Sequence, residues 1–296
     1  MKVGLIDVDG HNFPNLPLMK LSAWHKRQGD SVEWYEPLFS VHLDRVYMSK
    51  VFTFTPDYPY YVNADEVIKG GTGYFYPDGG KPLEPEIEHI YPDYGLYGIT
   101  ETAYGFLTRG CPRGCDFYIV GKKEGLKSYK VADLSEFWKG QKEIVLLDPN
   151  TLACREHMDL LGQLKESGAW VDFSQGIDAR LLTEQNSEAI KDIKIKMLHF
   201  AWDRMKDEEK ILPKLKMFKD ITGISRRKTV VYTLINFDST HEEDLYRIYT
   251  LREMGFNPYV MVYDKENAPE ICRKVQRWVN CRPVWETTPK FEDYWY

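Results

Sequence analysis

The sequence predicts an α/β protein in two parts: a small open α/β sheet of the Rossmann or flavodoxin type over residues 1–95, and a partial (β/α)6 barrel over residues 96–296. Three observations predict it. From about residue 100, short β-branched runs alternate with longer amphipathic stretches, the pattern of repeated βα units on a parallel sheet. Before residue 95 the spacing is different, with one buried-type strand, one helix and scattered short strands. At roughly 150 residues per domain, a chain of 296 residues has room for two domains, or for one large barrel with an appendage.

Taken in order, Val3 to Val8 reads as a buried strand, Leu16 to Arg27 as a helix, and Arg45 to Met48 and Glu66 to Lys69 as short strands. Tyr74 to Gly98, with Pro77, Pro82, Pro85 and Pro92 among aromatics and glycines, reads as an irregular linker packed on the barrel. The six barrel strands are expected at Tyr104 to Leu107, Glu143 to Leu147, Trp170 to Ser174, Met197 to Trp202, Thr229 to Ile235 and Pro258 to Tyr263, each followed by a helix. The second helix, Cys154 to Ser167, puts Met158, Leu161 and Leu164 on one face, with Gly168 as a left-handed cap. The fifth starts at Ser239-Thr240, with Glu242 and Glu243 in its first turn. The aromatic C-terminal segment Trp285 to Tyr296 is expected to pack across the open side of the barrel.

Composition excludes several classes. Hydrophobic residues make up 43% and charged residues 28%, which is ordinary for a folded globular chain. Apolar runs such as Tyr259 to Tyr263 are strand-sized, far below the ~18 residues of a membrane helix. An acid at Asp7 and the lack of a basic leader argue against a signal peptide, so a cytoplasmic location is expected. The 39 basic and 45 acidic residues give a net charge of -6, which lacks the electrostatic footprint of a general nucleic-acid binder. The five cysteines, one close pair and three singles, favour metal or redox chemistry over a disulfide framework.

In barrels of this kind chemistry sits on loops leaving the C-terminal strand ends. Here those loops carry Thr108-Arg109-Gly110-Cys111, Asp148-Pro149-Asn150, Gln175-Gly176, Asp203-Arg204, Asn236-Phe237-Asp238 and Asp264. Thr108 to Tyr118, TRGCPRGCDFY, is the most informative segment. It resembles the CxxxCxxC loop of the radical S-adenosylmethionine (SAM) enzymes, with Cys111 and Cys115 in the first two cysteine positions, Phe117 at the aromatic position and Tyr118 in place of the third cysteine.

The resemblance implies a [4Fe-4S] cluster on that loop, held by soft thiolate donors, and SAM on its open iron for radical chemistry on an unknown substrate. It implies a SAM amino-group site at Asp148 to Asn150, a carboxylate or ribose site at Gln175, Asp178 and Arg180, and a ribose or substrate contact at Asp203. A reductant of the flavodoxin or ferredoxin kind would be the partner. The Tyr118 substitution raises the alternative of a degenerate relative that has lost the cluster and serves as a binding or scaffold module. A mononuclear site of Cys111, Cys115 and a histidine is a third option.

Residues 1–95 resemble a shortened cobalamin-binding domain: Asp9-Gly10-His11 stands where a DxHxxG loop would, Ser49 begins a Ser-x-Val turn, and Gly70-Gly71 matches a GG turn. His11 is the candidate lower ligand, while Pro14 at the glycine position and the short length argue against a bound corrinoid. Cys154, Cys272 and Cys281 are expected as small core or surface residues. Arg226-Arg227-Lys228 is expected as a solvated edge, and Asp203 and Asp238 as helix caps.

Overall fold

The computed structural model describes residues 1–295. Its elements run β1 (Lys2–Asp7), α1 (Leu16–Arg27), β2 (Ser31–Trp34), β3 (Leu43–Ser49), β4 (Ala64–Gly70), α2 (Pro85–Glu88), β5 (Thr102–Gly105), β6 (Thr108–Arg109), α3 (Val120–Lys123), β7 (Tyr129–Lys130) and β8 (Glu143–Leu146). They continue with α4 (His157–Ser167), β9 (Trp170–Phe173), α5 (Glu184–Lys191), β10 (Ile195–Ala201), α6 (Glu208–Thr222), β11 (Thr229–Ile235), α7 (His241–Glu253), β12 (Asn257–Val262), α8 (Glu270–Asn280) and α9 (Arg282–Thr287).

Two parallel sheets organise the chain. The smaller has the order β2-β1-β3-β4, and the larger runs β5-β8-β9-β10-β11-β12, each strand beside its sequence neighbour. The α/β class expected from the alternating pattern is therefore present, and the larger sheet is open between β5 and β12. Helix α1 belongs to both sheets. Asn15 caps it by accepting from the Leu18 amide at 3.3 Å. Leu18 and Leu21 then pack with Val3 and Leu5 of the small sheet, while Leu16 and Met19 join Tyr94, Ala103 and Phe137 in the main core.

Strands are located well by their β-branched runs, and the departures have local causes. The first strand of the large sheet is Thr102–Gly105, two residues earlier than expected, because the amides of Leu107 and Thr108 turn away to the buried Asp148 carboxylate. No full helix follows it. The expected segment is a two-strand hairpin of β6 and β7 around the single turn α3, broken by Gly110, Gly114 and Gly125 in left-handed conformation. Strand β2 is additional: four half-exposed residues carry too little periodicity to announce it. The linker 74–98 is irregular apart from α2 and a 3-10 turn at Tyr94–Tyr97.

Helix α4 starts at His157, later than expected. It buries Leu160, Leu161 and Leu164, leaves Met158 only partly buried, and ends on Gly168 at φ 63°. Thr240 and Glu243 form the capping box that starts α7. Asp203 and Asp238 are not the caps; the Asp203 carboxylate instead accepts from the Leu234 amide at 3.1 Å. The C-terminal aromatics also lie elsewhere than expected. Trp285 and Phe291 pack on Trp278 and Tyr249, with Ile235 and Val260 beneath, so they cover the outer helix layer and not the open side. Tyr296 lies outside the described residues.

Alternation on the large sheet divides function from core. Ile144, Val171, Phe200, Val231 and Val260 are buried under the helices. The opposite face presents Tyr104, Asp172, His199, Tyr232 and Tyr259, none of them fully buried. A parallel sheet normally has both faces covered, and here the second face is a part-buried polar and aromatic one.

Candidate functional site

The C-terminal strand ends gather most of the residues singled out from sequence. Asp148, just after β8, is buried and accepts from the Leu107 amide at 2.8 Å, the Thr108 amide at 2.8 Å, the Thr108 hydroxyl at 2.6 Å and the Thr151 hydroxyl at 3.3 Å. Burial pushes its pKa up to about 6, with the Thr108 hydroxyl and these amides opposing. These partners give Asp148 a task different from ligand binding: it anchors the start of the cysteine loop.

The loop is held at several further points. Arg109 lies over the Phe106 ring and pairs with Glu124 at 2.8 Å, while the other Glu124 oxygen receives the Gly110 amide at 3.0 Å. Gly110 has φ 78°, and a side chain there would collide with the Lys127 carbonyl, so only glycine fits. Cys111 donates its amide to the Gly125 carbonyl and is buried. Asn150 is buried beside it, its Nδ2 donating to Cys111 Sγ at 3.6 Å, while its Oδ1 has no hydrogen-bond partner.

Cys115 and Tyr118 complete the loop. Burial pushes the Cys115 thiol up, with Asp203 and Cys111 adding to it and Arg180 and Arg204 opposing. Tyr118 feels both thiols as well. Burial first, then Cys111, Glu124 and Cys115, hold its phenol well above the ordinary tyrosine range, so at neutral pH it is a protonated O–H. Asp203 is likewise raised by burial to about 6, despite the Leu234 amide and the Arg247 and Arg180 cations.

Charge pairs tie the loop to neighbouring strand ends. Arg113 on the loop bonds Asp178, which also receives Arg180 at 2.7 Å, and Arg180 continues to Asp207 at 2.9 Å. Arg204 reaches back to Asp116 at 3.1 Å, and its guanidinium lies over both Phe117 and Phe237, whose rings are 5.0 Å apart. Gln175 is exposed. Among the described residues, the non-glycine residues with positive φ are Asn236, Asp238 and Asp264, all just beyond β11 and β12 at this same edge. Backbone strain of this kind is retained where a site requires it.

Sequence reasoning missed two features here. Arg247, fully buried on α7, donates to the Trp202 and Leu234 carbonyls at 2.8 Å each and pairs with Asp244 at 2.6 Å, joining the ends of β10 and β11. The second is the open-face group in which His199 stacks on Tyr232, with centroids 5.2 Å apart, and lies 3.7 Å from the Asp172 carboxylate. The period-2 alternation of β9 to β11 carried the signal for the latter.

The donor set decides what the loop can hold. A [4Fe-4S] cluster with three protein thiolates needs a third soft donor, and the chain supplies a neutral phenol at that point. Among the described residues, no group of three or more His, Cys, Asp and Glu is arranged to hold a metal ion. The residues present do not fit a three-thiolate cluster. In the small sheet the exposed His11 stacks on Trp34 at 4.1 Å, Ser49 receives Asn15 at 2.8 Å, and Asp9 is bound by the Val51 and Phe52 amides and the Thr55 hydroxyl. Cys154 and Cys272 are buried, whereas Cys281 is half-buried.

No described helix is long and apolar enough to cross a membrane. Compared with known proteins, the chain matches no protein-family model, and no curated protein is similar enough to count as a relative.

Proposed function

We propose that residues 96–296 are a radical-SAM-type partial (β/α)6 barrel that binds S-adenosylmethionine at its C-terminal strand ends without a three-thiolate iron-sulfur cluster, and that residues 1–95 are a shortened Rossmann-like companion domain without a corrinoid. The chain is then a binding or scaffold relative of that superfamily. The observation that carries the reading is the unpartnered Oδ1 of the buried Asn150, beside Cys111. A buried acceptor left empty costs about 1 to 3 kcal/mol, so a site that keeps one is built to receive a donor. The ammonium group of SAM is such a donor.

At the same sheet edge, Asp203 supplies a part-buried carboxylate to balance a sulfonium cation, and Phe117 with Phe237 offers an aromatic surface for adenine. The Arg113 to Asp178 and Arg204 to Asp116 pairs tie the loop across this edge. Tyr118, held protonated by burial at the third cluster position, favours the cluster-free reading over the cluster-holding one.

Titration calorimetry with SAM tests the proposal. Binding by the wild-type chain and an affinity about tenfold lower in Asn150→Ala are expected, one lost charge-assisted hydrogen bond. Absence of SAM binding, or equal binding in the variant, would overturn it.

A further inference from the structure

The opposite edge of the large sheet carries a second candidate site. Strands β9, β10 and β11 are parallel, so Trp170, Ile195 and the residues before Thr229 all lie at N-terminal strand ends, at the edge opposite the cysteine loop. Between these ends opens a cleft of about 260 Å³. For scale, a cavity of roughly 150 Å³ is enough to admit benzene.

Its floor is apolar: Ile190, Ile193, Ile195 and Phe218 come from the main core and are almost fully buried. Its rim is cationic and aromatic. Trp170 is 45% exposed, and Lys228 Nζ lies 4.7 Å from its ring centroid. Lys194 and Lys191 complete the rim. Of the nearby carboxylates, Glu188 is paired with Lys191 at 3.2 Å and Asp192 with Lys165 at 2.7 Å. Lys194 and Lys228 have no carboxylate partner among the described residues, and the formal charge of the cleft is positive within a chain of net charge -6.

We infer that this cleft binds a small aromatic anion, one ring bearing a phosphate, sulfonate or carboxylate. The ring lies on the isoleucine and phenylalanine floor against Trp170, and Lys194 and Lys228 hold the anion. The cleft, about 260 Å³ and partly open to solvent, has room for one ring system. An apolar floor alone would accept a neutral ring, and the lysines alone would accept any counterion. The combination selects a molecule having both parts. The site shares no residue with the proposed SAM site, so either can fail without the other.

Phenyl phosphate is the probe, and the indole N–H signal of Trp170 in ¹⁵N-tryptophan-labelled protein, assigned through Trp170→Phe, is the readout. A saturable shift of that signal is expected with phenyl phosphate, at least tenfold weaker with phenol or with inorganic phosphate. Lys194→Ala/Lys228→Ala should weaken phenyl phosphate binding about tenfold while leaving the other indole signals in place, which shows that the variant is folded. Lack of a saturable shift, an equal response to inorganic phosphate, or undiminished binding in the double variant would each overturn the inference.

Discussion

Asn150 Nδ2 and Cys111 Sγ lie 3.6 Å apart, both buried, although 39 positions separate them in sequence. This contact joins the loop after β8 to the cysteine loop after β5. Replacing Asn150 by Asp sets a carboxylate beside the sulfur and disfavours its thiolate. Alkylation of Cys111 by iodoacetamide, followed by peptide mass mapping, is expected to be several-fold slower in Asn150→Asp than in wild type. An unchanged or faster rate would contradict the contact.

Asp148 anchors the same loop from beneath. In Asp148→Ala the amides of Leu107 and Thr108 lose their acceptors, at about 1 to 3 kcal/mol for each buried group left unsatisfied. A fall in urea-unfolding stability of roughly 3 kcal/mol is expected, with an unchanged slope against denaturant.

Asp203 provides a pH test with a definite sign. Its folded-state pKa of about 6 lies above the ordinary 3.8, so the folded protein binds the extra proton. Stability contributed by this group therefore falls as pH rises from about 4 to 6 and levels off above. Asp203→Asn removes that titration. Between pH 4 and 6 the wild type is expected to lose on the order of 2 kcal/mol relative to the variant, measured by denaturant titrations at each pH. Parallel pH profiles would show that Asp203 is not desolvated.

Arg247 and Asp244 are both buried and face each other at 2.6 Å. Arg247→Met leaves the buried Asp244 carboxylate with the Ser239 hydroxyl and the Asn236 amide but no counter-charge, and a loss of about 3 kcal/mol is expected. The double variant Arg247→Met/Asp244→Leu should recover part of it, because the uncompensated charge is gone; no recovery would contradict a simple buried pair.

These residues also mark how far the sequence could be read. β11 was placed to the residue because Thr229 to Ile235 is an unbroken β-branched and apolar run, and Thr240 with Glu243 announced the start of α7. Cys111, Cys115, Tyr118 and Asn150 were legible as one site because they follow strands expected at a common sheet edge. Arg247 was not, since an arginine on a helix normally reads as solvent-facing, and only the carbonyls of Trp202 and Leu234 explain its burial. The role of Asp148 was hidden for a similar reason: a carboxylate after a strand reads equally as ligand or anchor, and the choice depends on where the Leu107 and Thr108 amides point. The turn of the C-terminal aromatics toward Trp278 was set by tertiary packing that no local pattern encodes.

The account rests most heavily on Tyr118. The direct measurement is iron content and visible absorption after anaerobic reconstitution with iron and sulfide, for wild type beside Tyr118→Cys. The wild type is expected to retain no iron-sulfur chromophore, while Tyr118→Cys, with three thiolates on the loop, takes up a [4Fe-4S] cluster. A stable cluster in the wild type would contradict the cluster-free reading, and no cluster in either protein would contradict the kinship of this loop with the radical SAM enzymes.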